Sequence, residues 1–158
     1  MRIPALLAAA AFLTCPAYAE DTVARGAYLA RIMDCGGCHT PGAFAGKPNA
    51  AMELAGADVG FAVPGLGVFY PPNLTPDPAS GLGNWSEAEI VAALRQGTRP
   101  DGRELVVMPW RSYAALSDED AFALAAYLKS MTPVANQVPA PTGADEKAPG
   151  PYLTVAMP

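Results

Sequence analysis

The stretch Cys35-Gly36-Gly37-Cys38-His39 constrains this chain more than any other. Two thiols stand on one short turn with two residues between them, and imidazole follows at once. Gly36 and Gly37 leave the backbone bare, so a large flat group can lie against it. This pattern is the attachment motif of a c-type haem. Each thiol adds to a vinyl group of one porphyrin, and the histidine is brought under the iron as an axial ligand. His39 is the only histidine in the chain. Two other uses of such a cysteine pair fit less well. A zinc site needs a second pair of ligands at similar spacing, and the one other cysteine, Cys15, falls in a leader. A thioredoxin-like pair needs a βαβ unit around it, and the pattern shows none.

The leader is residues 1–19. Arg2 supplies a positive start, Ile3 to Leu13 is a short apolar run, and Ala17-Tyr18-Ala19 is a small-x-small cleavage site. The run is too short to cross a bilayer, so a retained anchor is the weaker reading. Lipidation of Cys15 is also weaker, because Phe12-Leu13-Thr14 lacks small residues. Cleavage after Ala19 leaves a mature chain with Cys35 and Cys38 alone, and the formal charge moves from −5 to −6. An acidic surface argues against nucleic acid or an anionic membrane face as partner. The expectation is a periplasmic protein with no stable membrane insertion after signal cleavage, in keeping with haem attachment outside the bacterial cytoplasm.

The rest of the chain reads as helices separated by long loops. A helix is expected from Thr22 to Asp34, leading directly into the haem motif. Gly26 inside it calls for a reason, such as a second helix crossing closely. Thr40 to Pro72 has many glycines and prolines and no period. A loop this long is uncommon unless it wraps something, and a haem would be that something. Phe44, Leu54, Phe61, Val63, Leu66, Val68, Phe69 and Tyr70 are its candidate lining, with a short hairpin allowed around Gly65-Leu66-Gly67. Asn73-Leu74-Thr75-Pro76-Asp77 is a turn cluster. It also spells a glycosylation acceptor, discounted for an exported bacterial chain. Ser86-Glu87-Ala88-Glu89 is a capping box ahead of Ile90, Val91 and Leu94, and Gly97 closes that helix. Ser117 with Asp118, Glu119 and Asp120 opens the last helix, which Pro133 stops. The expected domain is 20–138, followed by a proline-rich tail over 139–158 that lies extended on it or is disordered.

Haem iron that passes electrons takes two strong protein ligands. No second histidine exists, so the thioethers are compared. Met33 stands too close to Cys35 to reach the opposite face. Met131 suits a core, and Met157 sits in the tail. Met52 follows His39 on the loop with little around it to hold it. Met108 lies 69 residues after His39, with Pro109 fixing the backbone and Trp110 beside it. Met108 is the assigned ligand, with Met52 or an open sixth position as the alternatives. Arg99, Arg103, Arg111, Trp85 and Tyr113 are candidate partners for haem propionates. With Arg95, these arginines form a basic rim suited to an acidic partner.

The chain resembles class I c-type cytochromes, and more narrowly the monohaem modules in cytochrome subunits of bacterial dehydrogenases. The resemblance rests on Arg25-Gly26-Ala27-Tyr28-Leu29, Cys35 to Thr40, Pro72 to Asp77, Gly81 to Trp85, Arg99 to Arg103, Met108-Pro109-Trp110, Leu116-Ser117-Asp118 and Ala126-Tyr127-Leu128. It implies an all-α cytochrome c fold, a small orthogonal bundle of about three to five helices wrapped around one covalent haem c with long loops. It further implies that Cys35 and Cys38 bind the vinyl carbons, that His39 and Met108 ligate iron, and that the first and last helices cross near Gly26 and Tyr127. The implied role is single-electron transfer without substrate chemistry. A dehydrogenase would be the donor, and a cytochrome or terminal oxidase the acceptor. The dehydrogenase subunits carry three such modules and an anchor, whereas this chain has one module. A peroxidase-like or gas-binding protein with an open sixth position is the competing reading.

Overall fold

The computed structural model describes residues 22–156. The expected signal segment, Cys15 and Met157 lie outside them. Among the described residues five helices occur in the order α1 (Thr22–Ile32), α2 (Cys35–His39), α3 (Glu87–Gln96), α4 (Trp110–Tyr113) and α5 (Asp118–Ser130), with 3-10 turns at Ala43–Ala45 and Ala50–Met52.

Small side chains set the central packing. α1 and α5 form the most extensive contact between elements, and α3 packs on α5. At the crossing, Gly26 of α1 is buried against Ala123 and Tyr127 of α5. A Cβ on residue 26 would run into the Ala123 carbonyl and lie 2.6 Å from Cβ of Tyr127. The glycine is therefore required by close approach, at the pair of helices expected. Arg25 grips Asp120 across the same crossing through Nε (2.8 Å) and Nη2 (3.2 Å), a fork on a carboxylate.

The helix ends follow the sequence signals. Ser86 and Glu89 form both halves of the capping box, and Gly97 closes α3 at φ 70°. Ser117 caps α5 through the Asp120 amide (3.1 Å). Near the other end of α5, Lys129 donates to the carbonyls of Leu82, Gly83 and Trp85 at 3.2, 2.8 and 2.8 Å. One ammonium thus ties the approach to α3 onto α5. Leu29, Ala30, Leu54, Leu82, Ile90, Leu94, Leu124, Ala125 and Leu128 make up the core.

The expected helical frame is present, with one addition. A small sheet stands at the side, in the strand order β2-β1-β3. β1 (Gly60–Val63) and β2 (Gly67–Phe69) form an antiparallel hairpin, and β3 (Tyr152–Leu153) adds to β1 in parallel. The hairpin sits at the anticipated glycines. The third strand comes from the tail, which no local pattern marks as a strand. It is held because it satisfies loop backbone: Gly60 N–H donates to the Pro151 carbonyl (2.9 Å), and Thr142 N–H to the Val68 carbonyl (3.0 Å). The Tyr70 hydroxyl donates to the Gly150 carbonyl (2.9 Å).

Two outcomes follow from the crossing. Gly26→Val is expected to lower unfolding free energy by about 3 kcal/mol through overpacking, measured by denaturant unfolding of the haem-loaded protein. The Asp120 carboxyl is held below its ordinary 3.8, first by the Arg25 hydrogen bond. A depressed folded value gives stability that is present above 3.8 and is lost as pH falls through the folded value. Asp120→Asn is expected to flatten the acid limb of the stability profile, followed by thermal melts below pH 5.

Candidate haem site

The motif is delivered by an abrupt reversal. α1 stops, and Asp34 takes the left-handed conformation (φ 55°, ψ 39°) before α2 begins. The Asp34 carboxylate then lies over Gly37, where an added Cβ would stand 2.6 Å from its Cγ. Gly37 is thus bare for Asp34 as well as for a ring. Cys35 and Cys38 are half-buried free thiols on one turn. Burial is the main cause raising both, Cys35 to about 11, with the Asp34 charge adding to each.

His39 is 8% exposed. Its Nδ1 lies 2.7 Å from the Pro72 carbonyl, so Nδ1 carries the proton and Nε2 keeps its lone pair. Burial lowers its pKa, with the Pro72 bond acting the other way, and the neutral ring is the metal-ligating form. Among the described residues no sealed side-chain nitrogen or oxygen lacks a partner. The free Nε2 therefore opens onto space.

A short segment, 54–57, braces both sides of this bond. Gly56 N–H donates to the His39 carbonyl (2.8 Å) and Ala57 N–H to the Pro71 carbonyl (3.0 Å). Leu54 N–H donates to the Thr40 hydroxyl (3.1 Å), and Leu74 N–H donates to the Leu54 carbonyl (2.8 Å). Leu54 adopts φ 57° to serve both strands of chain.

Met108 is placed by a separate set of contacts. Leu105 N–H donates to the Gly97 carbonyl (2.7 Å), and the Trp110 indole donates to the Leu105 carbonyl (3.2 Å). The Trp110 ring lies on Gly97, where a Cβ would meet its Cδ1 at 2.6 Å. Met108 and Cys35 pack against the same core cluster, as do Trp85 and Tyr113. The Tyr113 hydroxyl donates to the Met33 carbonyl (3.3 Å), tying α4 to the end of α1.

The other candidates are dispersed. Met33 and Met131 pack on the core, whereas Met52 lines a groove of about 320 Å³ with Pro41, Tyr70 and Asn136. Of the eight candidate lining residues only Leu54 joins the core cluster. Leu66 is 53% exposed, Phe44 stacks edge-on to Phe61 at 5.2 Å, and Val68 and Tyr70 bond to the tail. Arg99 lies 5.2 Å over Trp85 and Arg111 lies 4.5 Å over Trp110. Arg103 pairs with Asp101 (2.7 Å), and Arg95 pairs with Asp118. Asn73 and Thr75 are fully buried, which places the Asn73-Leu74-Thr75 sequence out of reach of any glycan. Their burial had no sequence signal beyond a turn.

The residues suit the group that the motif calls for. Two thiols on one turn precede a neutral imidazole with its outer nitrogen free, Cys35 packs on the same apolar cluster as Met108, and haem has apolar faces and an iron that takes imidazole and thioether ligands. These features define a protein that carries covalent haem on a small helical frame. The cytochrome c family profile matches residues 23–132. The chain is 38% identical over 125 residues to the cytochrome c subunit of a quinone alcohol dehydrogenase from Gluconobacter oxydans, covering 77% of this chain and 24% of that protein. It is 39% identical over 111 residues to the cytochrome subunit of a fructose dehydrogenase from Gluconobacter japonicus, covering 69% and 21% respectively. A dihaem c-type cytochrome from Cereibacter sphaeroides is 33% identical over 100 residues, covering 63% and 32%. The chain belongs to the cytochrome c family and carries covalently bound haem c. It spans a third or less of the length of each of these relatives. Among the described residues no helix is long and apolar enough to cross a membrane.

Gly97→Ala is expected to destabilise the protein by more than the roughly 1 kcal/mol that a left-handed alanine costs, because Trp110 must move. Gly65→Ala, at a similar φ of 76° with open space around it, supplies the backbone term alone. The difference between the two melting temperatures reads the Trp110 contact.

Proposed function

We propose that this chain is a periplasmic monohaem cytochrome c module that passes single electrons and performs no substrate chemistry. In this reading Cys35 and Cys38 hold the ring as thioethers, and His39 Nε2 and Met108 Sδ are the axial ligands. The donor is a periplasmic dehydrogenase, as the names of the relatives suggest, and the acceptor is another cytochrome or a terminal oxidase.

The observation that carries the reading is the His39 bond to Pro72. It orients the ring, keeps Nε2 free and makes it a stronger donor to iron. Met108 packs on the core that also takes Cys35, as Met33 and Met131 do, and its support is the Gly97–Trp110 clamp on its loop. Met52 has neither. The haem supplies one-electron exchange at its iron. The protein supplies two fixed ligands, which change little between oxidation states, and an apolar seat that excludes water from them. Export rests on the leader pattern at 1–19 and on the chemistry of haem attachment.

Oxidised and reduced spectra of the purified protein are expected to show a six-coordinate, low-spin haem that does not take up carbon monoxide rapidly. Met108→Ala is expected to open the site to carbon monoxide, and Met52→Ala to leave the spectra unchanged. The reverse pattern would overturn the assignment. Rapid reduction by a co-purifying dehydrogenase with its substrate, followed by stopped-flow absorbance, checks the donor.

A further inference from the structure

The acceptor of the His39 bond is held in place by the residue that follows it. Asn73 is 1% exposed, and its side-chain amide is used to capacity. Its Nδ2 donates to the Val134 carbonyl (2.7 Å) and to the Ser80 hydroxyl (3.1 Å). Its Oδ1 accepts from the Thr75 amide (2.9 Å) and the Thr75 hydroxyl (2.8 Å). The Thr75 hydroxyl in turn accepts from Val134 N–H (3.0 Å). One side chain thus fastens its own turn, the Ser80 turn and the segment that leaves α5.

The Pro72 carbonyl and the Asn73 amide share one rigid plane. Pro72 has a ring-locked φ and no N–H, and Ala57 holds the Pro71 carbonyl before it (3.0 Å), so the remaining freedom of the Pro72 carbonyl is restrained from the Asn73 side. Loosening Asn73 lets that plane rotate, and the bond to His39 Nδ1 lengthens. A weaker bond withdraws electron density from Nε2 and favours the reduced iron.

We propose that Asn73 is a positioning residue for the axial histidine, and that its buried amide network sets the reduction potential through the Pro72 carbonyl. The inference rests on His39 as the iron ligand. A wild-type spectrum without histidine ligation would fail that assignment, whereas the measurements below address Asn73.

The test uses the haem-loaded chain. Asn73→Ala is expected to raise the midpoint potential and to speed solvent exchange of the His39 Nδ1 proton by roughly tenfold, the scale of one lost hydrogen bond. Thr75→Val removes one Asn73 partner and is expected to shift both in the same direction by less. Arg25→Leu, which loosens the α1–α5 crossing without touching an Asn73 partner, is the control for lost stability and is expected to leave both readouts in place. In the wild-type protein the Asn73 side-chain amide protons and the His39 Nδ1 proton are expected to exchange through one common opening, a result that needs no variant to fold. An unchanged potential and unchanged Nδ1 exchange in Asn73→Ala, or independent exchange of the two groups in the wild type, would overturn the proposal.

Discussion

The bond from the His39 imidazole to the Pro72 carbonyl spans 33 residues of sequence, and the rest of the site is arranged to keep it. It decides the tautomer, and the tautomer decides which nitrogen can meet iron. Burial keeps the ring neutral, and the segment 54–57 bonds to the chain on both sides of it. A side chain on a short helix such as α2 would otherwise be free to swing. Here its backbone and its ring are each held from outside the helix.

The two halves of the proposed haem seat are stabilised by different means. The His39 side is a web of loop backbone, with Thr40, Asn73 and Thr75 as buried polar knots. The Met108 side hangs from the end of α3 through Gly97, Leu105 and Trp110. Apart from both stands the α1–α5 crossing, where Gly26 lets the two helices approach closely. The tail completes the arrangement by pairing with the hairpin. A long loop with few helical bonds of its own must satisfy its amides elsewhere, and residues 134–153 provide much of that.

The arginines modify the expectation of a basic rim. Arg95, Arg99 and Arg103 each have an acidic partner, and Arg99 and Arg111 also stack on tryptophan. Arg99 and Arg103 share the one Asp101 carboxylate, so two carboxylates offset part of the charge of four guanidinium groups. Val106 and Val107, beside Met108, remain exposed. The relatives are several times longer than the stretch they share with this chain, so this fold is a module that other proteins embed in larger chains.

Much of the chemistry was legible in the sequence, because it is local. The spacing from Cys35 to His39 specifies a covalent haem whatever surrounds it, and the capping box at Ser86, the stop at Gly97 and the cap at Ser117 each act within one turn. Gly26 could be read as a crossing because a helix tolerates glycine badly without a reason. What only the tertiary structure decided depends on groups distant in sequence. Pro72 as the partner of His39, segment 54–57 as a two-sided brace, Asn73 as a buried knot and the tail as a third strand leave no periodic trace. A backbone carbonyl has the same chemistry in every residue, and only the folded path determines which one the imidazole meets.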